Sequence, residues 1–251
     1  MRFLRECSIV FRRQIRMNLR NPAWVIIGML QPVLYLLLFG PLLKPLIGQF
    51  GAANAYTFLV PGLLVQLGLF GAFFAGFSLI GEWREGVIEN ERVTPASRGS
   101  LLVGRLMRDV LQILVQALIL VVLGYVVGMR GSFVGVIVGV LITVVIGGAC
   151  AAASNALGLA TKSEDVMAPV INVVMMPVLL LSGILLPMTI GPAWLERASD
   201  FMPIRHVVDA VRQSFAGDLA SSSVLWGSLW AVGLFALAVW WGTSTFRREN
   251  A

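Results

Sequence analysis

Residues 133–160 read FVGVIVGVLITVVIGGACAAASNALGLA, an unbroken apolar run without a single charge. The hydrocarbon core of a bilayer, about 30 Å thick, needs roughly 20 such residues in a helix. Similar runs recur on either side of this one, and they predict further spans at 23–43, 57–80, 106–128, 167–188 and 224–246. Composition agrees: 58% of the 251 residues are hydrophobic and only 13% are charged, whereas soluble domains carry about 25% charged residues. A water-soluble core has no room for that much apolar side chain, so lipid is the expected solvent.

Six spans put both termini on one side. Six arginines lie in residues 2–20 and five between 84 and 108, and Lys162, Arg247 and Arg248 fall on the same side. Lys44, Arg130, Arg197, Arg205 and Arg212 remain for the other. The positive-inside rule therefore places the termini in the cytoplasm and accounts for the net charge of +6 without nucleic acid. No acid falls at mid-membrane, where ion-coupled carriers usually keep one. The first twenty residues mix arginine with apolar residues and lack an apolar signal core, so the first span is expected to target the chain. Cys7 and Cys150 do not suggest a disulfide framework.

Three segments outside the spans carry pattern. On a helical wheel, Arg2, Arg5, Arg12, Arg13, Arg16 and Arg20 oppose Phe3, Leu4, Cys7, Val10, Phe11, Ile15 and Leu19, which predicts an interfacial helix over 1–21 that ends at Asn21-Pro22. Residues 82–98, EWREGVIENERVTPASR, form the densest charged stretch. Glu85 and Glu89 lie one turn apart and Pro95 stops the helix. A solvated connector would need only a few residues, and charges of both signs better suit the surface of a partner. Residues 189–223 are half apolar and too short to span, so they predict one or two interfacial or re-entrant helices at the outer mouth.

Catalytic chemistry is not apparent. His206 is the only histidine and cannot supply a zinc site alone; a surface ion pair with Asp209, three residues on, is the plainer expectation. Neither HExxH nor GxSxG occurs. The only lysines, Lys44 and Lys162, follow Leu43 and Thr161, so no Gly-Lys-Ser/Thr phosphate loop exists. An ion-coupled carrier and a membrane enzyme stay open as alternatives on these residues alone.

The stretch EWREGVIENERVTPASR resembles the cytoplasmic loop of type-2 ABC transporter permeases, especially the daunorubicin and multidrug-resistance group. SGILLP, PAWL and MPIRHVVDAVR within 182–212 resemble the same family's signature between its fifth and sixth helices, although Met202-Pro203-Ile204 departs from the Asn-Pro common there. The resemblance covers essentially all of residues 1–251 as one permease domain. It implies an all-α membrane protein with six transmembrane helices, an N-terminal amphipathic interfacial helix, a cytoplasmic coupling helix and short extracellular re-entrant helices.

It further implies a non-catalytic efflux permease of the bacterial inner membrane. Two copies, or one copy and a homologous permease, would work with two cytoplasmic ATP-binding subunits that carry the ATP and Mg. Alternating access would export a drug, antibiotic or lipid-like molecule. Glu82, Arg84, Glu85, Gly86, Glu89, Arg92, Pro95 and Arg98 then fall on the coupling segment, and Pro187, Trp194, Pro203, Arg205, Asp209 and Arg212 on an outer gate. Phe70, Phe73, Phe74 and Phe77 repeat at helical spacing, and Met175 and Met176 sit midway along the fifth span. They suggest an adaptable greasy pathway or plain packing. Gly68, Ala72 and Gly76, with Gly131, Gly135 and Gly139, are spaced as helix-packing seams. Pro169, Pro177 and Pro187 are expected to bend the fifth span.

Overall fold

A computed structural model describes residues 2–20, 23–50, 54–87 and 98–248. Nine α-helices run through them: α1 (Arg2–Arg20), α2 (Ala23–Leu43), α3 (Ala55–Arg84), α4 (Arg98–Val126), α5 (Phe133–Thr161), α6 (Glu164–Leu181), α7 (Ala193–Asp200), α8 (Pro203–Ala216) and α9 (Ser222–Arg248). No strand occurs among the described residues. Six helices, α2 to α6 and α9, are long and apolar enough to cross a membrane. An even number of crossings leaves α1 and the C-terminal end of α9 at one end of the bundle, here the near end, with α7 and α8 at the far end.

Helices α3 and α5 form the axis and pack side by side in parallel. Small residues permit the approach, as their spacing in the sequence predicts. A Cβ on Gly68 would stand 3.1 Å from the Thr143 carbonyl oxygen, and one on Gly158 would stand 2.8 Å from that of Gly76. Gly135 and Gly139 serve a different neighbour, since side chains there would run into Ser214 and Phe215 of α8. Ser154 of α5 reinforces the axis by donating to the Phe73 carbonyl at 2.7 Å and accepting from the Gly76 N–H at 3.1 Å.

Local chemistry sets the ends. Asn54 caps α3 by accepting from the Tyr56 N–H at 2.8 Å, and its amide donates to the Gly128 carbonyl, also at 2.8 Å. Gly86, at φ +72, ends α3 in the left-handed conformation that glycine adopts freely. Pro203 opens α8 at a position where no N–H is needed, and Gly217, at φ +94, closes it.

The fifth span differs from expectation at its far end. Helix α6 stops at Leu181 because Gly183 takes φ +71, so Pro187 lies beyond the helix and only Pro169 and Pro177 stand inside it. Helix α8 is also more than an interfacial element. It buries Val207, Val208, Val211 and Phe215 against α3, α5 and α9 and plugs the far end of the bundle. Helix α1 docks a narrow stripe on α4, with Cys7 and Val10 against Gly104, and leaves Phe3, Ile9 and Leu19 exposed.

Candidate functional site

Four charges meet inside the near end, where α3 hands over to residues 85–97. Glu82, in the last turn of α3, is 6% exposed. One of its carboxylate oxygens accepts from Arg105 Nη2 at 2.7 Å and Nε at 3.1 Å, and the other accepts from Gln14 Nε2 of α1 at 3.0 Å. Arg108 stands 3.9 Å from the same carboxylate, donates to Gln14 Oε1 at 2.8 Å and is held by Asp109 Oδ1 at 2.7 Å and 2.9 Å. Asn155 of α5 completes the chain of contacts by donating to Asp109 Oδ2 at 3.3 Å.

All six side chains are buried, and two acids balance two arginines. Such a cluster ties α1, α3, α4 and α5 together through charge-assisted hydrogen bonds. Removing one member would strand the others in a low-dielectric interior.

The sequence counts Arg105 and Arg108 among the basic residues at the cytoplasmic border of the 106–128 span and places Glu82 on a surface that receives a partner. The structure instead starts α4 at Arg98, so both arginines point inward from a helix, and Glu82 is turned to them. Arg105, Arg108 and Asp109 at spacing i, i+3, i+4 occupy one face of a helix that is otherwise largely apolar. That spacing was the available signal. Buried acids are therefore present, each paired, at the near end rather than at mid-membrane.

The rest of the charged segment divides. Arg84 and Glu85 are exposed, and Arg84 meets Glu164, in the first turn of α6, at 3.0 Å. This bridge sits in the open on both sides, so it contributes little to stability. Gly86 makes the turn after α3. Glu89, Arg92 and Pro95 lie outside the described residues, and Arg98 is described only as the start of α4.

At the far end the structure brings the α8 residues together. Arg205 Nη1 meets Asp200 Oδ1 at 2.6 Å, the Glu196 carbonyl at 3.0 Å and the Ser199 hydroxyl, while its Nε lies 3.7 Å from Asp209 Oδ2. Arg212 donates to the carbonyls of Gly183 and Ile184 at 2.7 Å and 2.9 Å and lies over the Phe58 ring at 4.2 Å. It thereby pins α8 to α3 and to the turn after α6.

Burial pushes the Arg212 guanidinium down to about 10, partly offset by Asp209. Burial likewise raises Asp209 above the usual carboxylate range, against the pull of Arg212, Arg205 and His206. His206 does not form the expected pair with Asp209; its Nε2 meets the Asp200 carbonyl at 3.0 Å and its ring stacks on Trp230. Pro187 leads into a short 3-10 turn, Pro203 starts α8, and Trp194 is exposed on α7.

The aromatic stripe of α3 separates in three dimensions. Phe73, with Met175 of α6, lines a cavity of about 470 Å³ between α3, α5, α6, α8 and α9. Phe70 packs on the core, while Phe74 is half exposed beside Phe77, and Met176 points outward. Among the described residues no group of three or more His, Cys, Asp or Glu could hold a metal.

Six apolar spans, a plugged far end and an ion-paired near end define a polytopic helical membrane protein. Residues 5–216 match the family model described as ABC-2 type transporter, and the chain belongs to that family. Over 58 residues it is 43% identical to the "Probable multidrug ABC transporter permease YbhR" of Escherichia coli strain K12, and the relative of the same name in Escherichia coli O157:H7 matches equally. The matched stretch is 23% of this chain and 16% of those relatives' length.

Proposed function

We propose that this chain is the permease subunit of an ATP-driven exporter that moves hydrophobic or amphipathic molecules, in the manner that the name of its multidrug relatives and its daunorubicin-type loop suggest. The near end faces the cytoplasm of a bacterial inner membrane, consistent with its arginines. Two permeases, identical or homologous, rest on two ATP-binding subunits, which hold the ATP and Mg and perform all hydrolysis.

The observation that carries this reading is the position of the buried Glu82–Arg105–Arg108–Asp109 cluster at the last turn of α3, from which the chain continues into residues 85–97. A push on that segment by a closing ATPase pair reaches α3 within one helical turn. Through the cluster it reaches α1, α4 and α5 as one body. Helix α6 buries only Met167, Ile171 and Met175 of its own length and is tied to α3 at its start by the exposed Arg84–Glu164 pair. It is the span freest to follow a different path, and alternating access requires such relative movement.

Reversal of charge at Glu85, which is exposed, and at Glu89 tests the docking. With the ATP-binding partner in vesicles, Glu85→Lys combined with Glu89→Lys is expected to leave the permease folded and the ATPase active while ATP-dependent dye extrusion falls to background. Unaltered coupling in that variant would remove the segment from the mechanism.

A further inference from the structure

The cavity beside Phe73 has a composition that selects its occupant. No polar surface lines its about 470 Å³, a volume within the roughly 300–1,000 Å³ of small-molecule pockets. Its floor is sealed: Leu69, Ile146, Ala149 and Met175 are all buried. Its mouth is not, for Val174 of α6 and Leu237, Trp240 and Trp241 of α9 are exposed on helices long and apolar enough to span. The hollow therefore opens sideways, between α6 and α9, onto the surface that faces hydrocarbon.

Small residues create it. Ala149 and Ala153 of α5 and Ala238 of α9 stand where larger side chains would close the gap. Walls that present no polar surface hold water poorly, and an empty hollow of this size forfeits the dispersion contacts of every atom around it. What fits is a flexible apolar chain entering from the bilayer.

We propose that this hollow is a binding site for a single hydrocarbon tail, reached laterally from the membrane and contained within one subunit. It deepens the export reading by naming the portion of a cargo that it takes, and it rests on that reading for its part in transport. The tail lies against Phe73 and Met175, and any polar head stays outside the hollow, because nothing within would satisfy it. Movement of α6 against α9 would widen or close the mouth.

The test uses the whole chain in phosphatidylcholine vesicles, without any ATP-binding subunit, so that its failure leaves the export reading standing. In one arm a phospholipid carries a diazirine at the middle of an acyl chain; in the other a free fatty acid carries it. After illumination, labelled residues are mapped by mass spectrometry. Label on floor residues such as Leu69 or Met175 in either arm supports the site, and the arm that labels identifies the source of the chain.

Ala149→Phe, or Ala153→Phe where the first fails to fold, should abolish the floor label and leave label at Leu237 in the mouth. Label confined to the mouth in the unaltered chain would overturn the proposal. So would floor label that survives both fillings, or floor residues that cross-link to a second copy of the chain instead of to lipid.

Discussion

The near end and the middle of this bundle solve opposite problems with opposite materials. At the near end, Glu82, Arg105, Arg108 and Asp109, with Gln14 and Asn155, hold four helices through hydrogen bonds of 2.7 Å to 3.3 Å. Midway, α6 and α9 flank a hollow lined entirely by apolar surface. Directed bonds fix one arrangement, since each partner left alone in a dry interior is costly. Dispersion contacts fix far less, because an apolar wall slides past another with little change in energy. A permease driven as proposed, pushed at one end and rearranged in the middle, would be served by that division.

The sharpest way to break the comparison is to strand a charge. Arg105→Met leaves Glu82 facing Arg108 and Gln14 with its closest ion partner gone, and a loss of about 3–5 kcal/mol is expected. Unfolding in mixed detergent micelles would measure it. Glu82→Met with Arg105→Met should recover much of that loss, because the pair leaves together; equal damage in the double variant would mean that the cluster is not acting as paired charges.

A smaller effect of opposite sign is expected at Gln66. It is buried within α3, and neither atom of its amide has a hydrogen-bond partner among the described residues. Gln66→Met removes that debt and should stabilise the protein by about 1–3 kcal/mol in the same unfolding measurement. The smallest effect belongs to the exposed Arg84–Glu164 bridge. Arg84→Ala should cost below about 1 kcal/mol and be insensitive to added salt only if the pair contributes nothing.

The spans were legible because hydrocarbon imposes both length and polarity, and the runs at 133–160 and 57–80 satisfy both demands. The close seams were legible too, through the four-residue spacing of Gly68, Ala72 and Gly76. Other features depend on contacts that a one-dimensional pattern does not carry. Pro187 falls outside α6 because one residue, Gly183, turns left-handed before it. Phe73 and Phe74 separate because neighbours on a helix point about 100° apart, so a stripe read as one face becomes a cavity wall and a half-exposed ring. The buried cluster escaped because Arg105 and Arg108 look like border charges until α4 is seen to begin at Arg98 and α1 to lie against it.

Central to the proposal is a permease moved from its near end by a separate ATP-binding subunit. The direct measurement is extrusion of a fluorescent lipophilic dye from sealed vesicles that hold the chain alone, or the chain with its ATP-binding partner, each with and without ATP. Uphill extrusion is predicted only with partner and ATP together, and only while Glu85 and Glu89 keep their charge. Uphill extrusion by the chain alone, without nucleotide, would contradict it.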